Sequence, residues 1–185
     1  MRAWRTSFQL LIVAVVLAGA AAIALGPVLA EATSWPSLLP LTLAVLAFVI
    51  GDSLLLHLRF GKDRYSFTGS EAAVVVALVL VPAAWAPAVG GVGIAAAHLL
   101  ARRPLVKVAY NASVAAAGMG LAVLVFALVA PLHVAQRPVT PQAWLALALS
   151  SAAFFIYNHL TVSTAVAWSQ GLALRSVAAT ASSWP

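Results

Sequence analysis

The sequence predicts an all-α polytopic membrane protein of about six transmembrane helices with both termini cytoplasmic. Three observations carry that expectation. Of the 185 residues, 64% are hydrophobic and only 8% charged, against roughly 25% charged in soluble domains, and the mean hydropathy is +1.05. The apolar residues fall into runs near the ~20 residues that cross a bilayer, with short connections between them. Basic residues flank these runs instead of gathering in a patch, so the formal charge of +6 orients helices and gives no reason to expect nucleic acid. One transmembrane domain, 1–185, accounts for the whole length, with no separate soluble domain. The chain has no cysteine, which excludes disulfides, thiolate metal sites and cysteine nucleophiles.

The first span, 8–30, follows Arg2 and Arg5; its apolar run is longer than the ~7–15 residues of a signal-peptide core, so it reads as a retained helix. The second, 38–58, begins after the turn-like "SWPS". The third and fourth, 70–86 and 88–101, share one unbroken apolar stretch. Pro82 and Pro87, followed by Gly90 and Gly91, mark where that stretch folds back, since proline removes helix donors and glycine permits a tight turn. Both helices should therefore be short. Pro104 opens the fifth span, 104–130, at a position where a first-turn proline is favourable, and the sixth, 142–168, follows the loop with Pro138 and Pro141. Gly91 with Ala95, Gly93 with Ala97, Ala116 with Gly120 and Gly118 with Ala122 stand four apart, a spacing that lets helix backbones approach closely.

With the amino terminus cytoplasmic, the inner segments hold Arg2, Arg5, Arg59, Lys62, Arg64, Arg102, Arg103, Lys107 and Arg175, and the outer loops hold Arg137 alone. Nine against one is the bias that sets topology. The tryptophans agree: Trp35, Trp85 and Trp144 fall at outer ends, Trp4 and Trp168 at inner ends. The polar segment "HLRFGKDRYSFTGSE" is then an inner loop, in which Arg59, Lys62 and Arg64 face the cytoplasm and anionic headgroups. Its end, "TGSE", reads as a capping box with Thr68 capping the third helix and Glu71 reaching back.

Asp52 is the sole acid inside a span, where a carboxylate costs at least a few kcal/mol. Either it makes an ion pair, proton site or ligand contact in a water-accessible cavity, or it snorkels inward or pairs with Arg59 on the same face or with a base from a neighbouring inner loop. On the sixth span Ser150, Tyr157, Thr161, Thr164 and Trp168 form a narrow stripe that faces other helices, through interhelical hydrogen bonds or as a cavity lining. Tyr110 and Asn111 stand one turn past Lys107, where they line a cavity or sit at headgroup level. His57, His98 and His159 fall in inner halves and His133 in an outer loop, with no spacing that suits a metal or haem; they read as satisfied or interfacial. No nucleophile elbow, phosphate-binding glycine loop, zinc motif or pair of catalytic carboxylates is present, so the sequence predicts no catalytic residues, no cofactor and no metal.

Residues 57–113 resemble the amino-terminal membrane region of actinobacterial cyclic-di-GMP signalling proteins, which carry GGDEF, EAL or HD-GYP output domains after a multi-helix sensor. The elements carrying the likeness are "YSFTGSE" from Tyr65 to Glu71, the proline-bearing apolar hairpin from Pro82 to Gly91, the basic turn Arg102 to Arg103, and the helix start from Val106 to Asn111. The resemblance implies a sensory input module of a bacterial inner membrane, with Ser66 to Glu71, Tyr110 and Asn111 as an inner-facing patch. That family continues into a cytoplasmic catalytic domain, whereas this sequence ends at Pro185; either the sensor stands alone with a separate partner or the sequence is that of a truncated relative, and the resemblance carries over no catalytic function.

The leading expectation is a non-enzymatic sensory or signalling module that couples a membrane or small-molecule signal to a partner, through Asp52, Asn111 and the stripe from Ser150 to Thr164. Its partners would be the lipid bilayer, a second copy or another membrane or cytoplasmic protein, and a small-molecule ligand. One alternative is a transport subunit similar to the substrate-binding components of energy-coupling-factor vitamin transporters. Those capture substrate from the outer side, whereas the polar residues here gather toward the inner half. The other is a structural subunit of a membrane complex.

Overall fold

Strong apolar runs broken by proline, glycine and short polar segments fold as helices separated by tight connections. The structure is a computed structural model that describes residues 2–29, 37–60, 63–136 and 140–169, with side chains at 9–25, 37–54, 69–135 and 140–169. Six helices follow in order: α1 (Arg2–Leu29), α2 (Leu38–Ser53), α3 (Ser70–Leu80), α4 (Ala86–Leu100), α5 (Leu105–Val129) and α6 (Pro141–Ser169). Between α2 and α3 runs an antiparallel hairpin of β1 (Leu55–Phe60) and β2 (Asp63–Thr68). The described chain is thus helical as expected, with one small sheet that was not.

Among the described residues, three segments are long and apolar enough to cross a membrane: Ala83–Leu100, Leu105–Val129 and Pro141–Ser169. The pattern is that of a multi-pass membrane protein. Large apolar side chains point outward along the helices, among them Leu17, Leu39, Leu100, Leu128 and Leu160, each more than half exposed. Lipid accepts such a surface where water would not.

Two expected spans are shorter than the sequence suggested. The second stops at Ser53 instead of 58, because Gly51, Asp52 and Ser53 are poor helix formers and the chain turns extended at Leu54 (φ −86°, ψ 96°). The third stops at Leu80 instead of 86: Val81, the residue before Pro82, is extended, as the proline ring requires. At 1.5 Å per residue these helices are about 24 Å and 16 Å long, less than the ~30 Å hydrocarbon core. A 3-10 turn, Ala83–Trp85, makes the reversal into α4. Gly90 and Gly91 take no part in that turn; they lie inside α4, where Gly90 meets Met119 and Gly91 meets the Ala112 carbonyl and Ala116.

In lipid, helices associate through packing and polar contacts, because hydrocarbon tails are as apolar as the side chains they would replace. α5 is the central post, in contact with α1, α4 and α6, while α2 packs on α3 and α4, and α3 reaches α6. Small residues set the approach distances. A Cβ on Gly118 would lie 2.9 Å from the Phe154 ring, and one on Gly93 would lie 2.5 Å from Phe48 Cβ. Phe48 and Phe154 thereby meet in the core with ring centroids 6.4 Å apart and planes tilted by 55°. Fully buried Phe126 and Met119 extend this core along α5.

Candidate functional site

Asp52, His98 and Asn111 come together at one end of the bundle, where α2, α4 and α6 finish and α3 and α5 begin. Asp52 sits in the last turn of α2, His98 in the last turn of α4 and Asn111 in the second turn of α5. His98 Nε2 lies 3.4 Å from Asp52 Oδ2, and Asn111 Nδ2 lies 3.4 Å from His98 Nδ1. With the amide nitrogen toward the ring, Nδ1 accepts and the imidazole proton sits on Nε2, toward the carboxylate; with the amide oxygen there, Nδ1 donates. One imidazole ties three helices together. Both separations are long, which makes each bond weak alone, and the pair is partly open to its surroundings, with side chains 18% (His98) and 27% (Asp52) exposed.

Backbone geometry fixes each member. At the end of α4 the Arg103 amide donates to the His98 carbonyl at 2.9 Å and the Arg102 amide to the Leu99 carbonyl at 2.9 Å. This is the double bond pattern of a Schellman cap. Its left-handed position is occupied by Arg102 at φ 53°, where glycine is usual. On the other side, the Gly69 amide donates to the Gly51 carbonyl at 2.8 Å, closing the base of the hairpin beside Asp52.

The hairpin changes the reading of the polar loop. Its register places Leu56 and Leu58 opposite Phe67 and Tyr65, and His57 and Arg59 opposite Ser66 and Arg64, so the central pairs match in polarity, while at the ends Leu55 meets Thr68 and Phe60 meets Asp63. Because α2 ends at Ser53, Asp52 and Arg59 do not share a helix face, and the carboxylate's described partner is His98. The helix cap also moves by one residue: Thr68 ends β2 and Gly69 is the N-cap of α3, which leaves Glu71 in the first turn without the expected box. Lys62 lies outside the described residues, as do the side chains of Arg59, Arg64 and Thr68.

The α6 stripe faces helices. Ser150 is fully buried, and Tyr157 abuts the position of Gly118 on α5. Tyr110 donates its phenol proton to the Thr161 carbonyl at 3.1 Å, and the Thr161 hydroxyl donates to the Tyr157 carbonyl at 2.7 Å. Thr164 is half-buried. Neighbouring Ser151 donates to the Glu71 carbonyl at 3.3 Å, joining α6 to α3. The stripe and the Asp52 cluster are therefore separate: Asn111 joins Asp52 through His98, whereas Tyr157 and Thr161 meet α5 at Gly118 and Tyr110. His98, read from sequence as an ordinary histidine, is the residue that sequence reasoning undervalued. Its place in the last turn of a helix ending in a basic turn was the available signal.

Chemically, the cluster offers a carboxylate, an imidazole and an amide. The second imidazole nitrogen faces the Asn111 amide. The ring can hold a proton in two ways. With Nδ1 protonated, two donors would face each other until the Asn111 amide turned over to present its oxygen. Among the described residues no three of His, Cys, Asp and Glu gather as a metal would require. Comparison with protein-family models, with curated proteins and with solved structures finds no match to this chain.

Proposed function

We propose that the protein is a non-enzymatic sensory module of a bacterial inner membrane, with six membrane-embedded helices, both termini cytoplasmic, and its working parts at the basic end of the bundle. The observation that carries this reading is the Asp52–His98–Asn111 connection, which joins three helix ends within one residue of the Gly51–Gly69 bond at the base of the hairpin. A shift of α4 or α5 alters the hold on Asp52 and so reaches the hairpin, which a partner at the membrane surface can read. Coupling of this kind needs an element with two arrangements that a signal biases, and the turnover of the Asn111 amide supplies one. The likeness to membrane sensor regions of cyclic-di-GMP proteins supports the same class. The meeting of Asp52, His98 and Asn111 at this end favours it over a transport subunit that captures substrate from the opposite side.

Hydrogen exchange on the protein in nanodiscs tests the coupling. Asp52→Asn should speed exchange of amides in 55–68, while Glu71→Gln, outside the cluster, should leave them as in the wild type. Equal effects from both, or no change with Asp52→Asn, would remove the basis for the sensory reading. Alkaline phosphatase fused after Pro185 should be inactive, and activity there would overturn the orientation.

A further inference from the structure

A second feature at this end of the bundle is a half-open groove of about 320 Å³ between α1, α5 and α6. Its walls are apolar, formed by Ile12, Val106, Val162 and Val166, and its polar side carries Lys107 and Tyr110. The Tyr110 hydroxyl proton is committed to the Thr161 carbonyl. Lys107 is exposed, and no carboxylate among the described residues lies within ion-pair reach of it. Among the described residues, the groove thus presents a cation with no carboxylate partner at the head of an apolar channel.

That combination selects an amphiphile with a negative head. The volume lies at the lower limit of the ~300–1,000 Å³ typical of ligand sites, enough for a headgroup and the start of one chain but not for a whole lipid. The remainder of any occupant has to leave through the open side. Val106, Val162 and Val166 line the groove and are exposed, so its open side presents an apolar rim suited to hydrocarbon. Lysine near the membrane surface attracts anionic lipid by about 1 kcal/mol, and Lys107 stands in the first turn of α5, where the helix dipole adds a field of the same sign.

We propose that this groove is a binding site for an anionic phospholipid from the leaflet at the basic end of the bundle, with the phosphate on Lys107 and one acyl chain along Val106, Val162 and Val166. The site stands on the groove's own chemistry and does not depend on the sensory reading. Asn111 also lines the groove, so an occupying lipid lies one side chain away from His98.

Native mass spectrometry of the purified, delipidated full chain, titrated with phosphatidylglycerol or phosphatidylcholine, tests the assignment. A one-to-one adduct with phosphatidylglycerol is expected, with weaker binding of phosphatidylcholine. Lys107→Gln should weaken the phosphatidylglycerol adduct about fivefold, whereas Arg103→Gln, the same change of charge on an exposed residue outside the groove, should leave it unaltered. Val166→Trp, which fills the chain-binding wall, should weaken the adduct without changing the charge, and excess inorganic phosphate should fail to displace the lipid. Equal losses from Lys107→Gln and Arg103→Gln would mean diffuse surface attraction and overturn the site. So would wild-type binding by a folded Val166→Trp protein, displacement by inorganic phosphate, or equal binding of the two lipids.

Discussion

Gly51 and Gly69 meet backbone to backbone: the Gly69 amide donates to the Gly51 carbonyl at 2.8 Å, and a Cβ on Gly51 would lie 2.7 Å from the Gly69 oxygen. The obstacle is main chain, which has no flexible end to swing aside. Any side chain at position 51 must therefore part α2 from the start of α3 and open the base of the hairpin. Gly51→Ala should destabilise the protein by about 1–3 kcal/mol, despite alanine's better helix propensity. Thermal unfolding in detergent, followed by loss of monodispersity, gives the measurement; an unchanged or raised midpoint would mean that this approach does not hold the two helices together.

The Asp52–His98 contact predicts energetic coupling between α2 and α4. Interhelical polar contacts in membrane proteins contribute about 0.6 kcal/mol on average and up to ~1.7, and the separation of 3.4 Å places this one toward the lower part of that range. A double-mutant cycle of Asp52→Asn and His98→Gln should return about 0.5–1 kcal/mol of coupling. Strict additivity would show that the two side chains are neighbours without being partners.

The helices were legible in the sequence because hydropathy and punctuation agreed, as at Pro104 before α5 and Pro141 at the start of α6. Asp52 and Asn111 were legible because polar side chains inside apolar runs demand a partner. The pairing with His98 was not: its place in the last turn of a helix before a basic turn marked it as an end residue, but it reaches them only through the crossing of α4 with α2 and α5, a long-range packing outcome. The hairpin is a different case. Leu56, Leu58 and Phe60 alternate with His57 and Arg59, and Tyr65 and Phe67 alternate with Arg64, Ser66 and Thr68, a period of two that signals strand. The apolar run leading into it and its concentration of charge drew the reading toward helix end and loop instead.

At Arg102 the backbone adopts φ 53°, a conformation that costs a residue with a Cβ roughly 1–2 kcal/mol and glycine almost nothing. The exposed arginine side chain has no described bond to offset that cost. Arg102→Gly should raise stability by about 0.5–1 kcal/mol after allowance for the greater freedom of the unfolded chain, and Arg102→Val should lower it. A fall in the unfolding midpoint with glycine would show that the arginine side chain, and not the turn, secures the end of α4.

Ser150 offers the sharpest separation between packing and pocket on α6. It is fully buried, and its hydroxyl oxygen has no hydrogen-bond partner among the described residues, although helix interiors normally let serine bond to a carbonyl one turn back, as Ser113 does to Ala109 at 2.8 Å. A buried hydroxyl without a partner costs about 1–3 kcal/mol, and alanine would remove it while leaving the packing around it nearly unchanged in shape. Ser150→Ala should therefore raise the unfolding midpoint or leave it unmoved, in detergent and in nanodiscs alike. A clear fall would show that the hydroxyl is engaged by something the bundle holds, and would move the α6 stripe from a packing seam to the lining of a binding cavity.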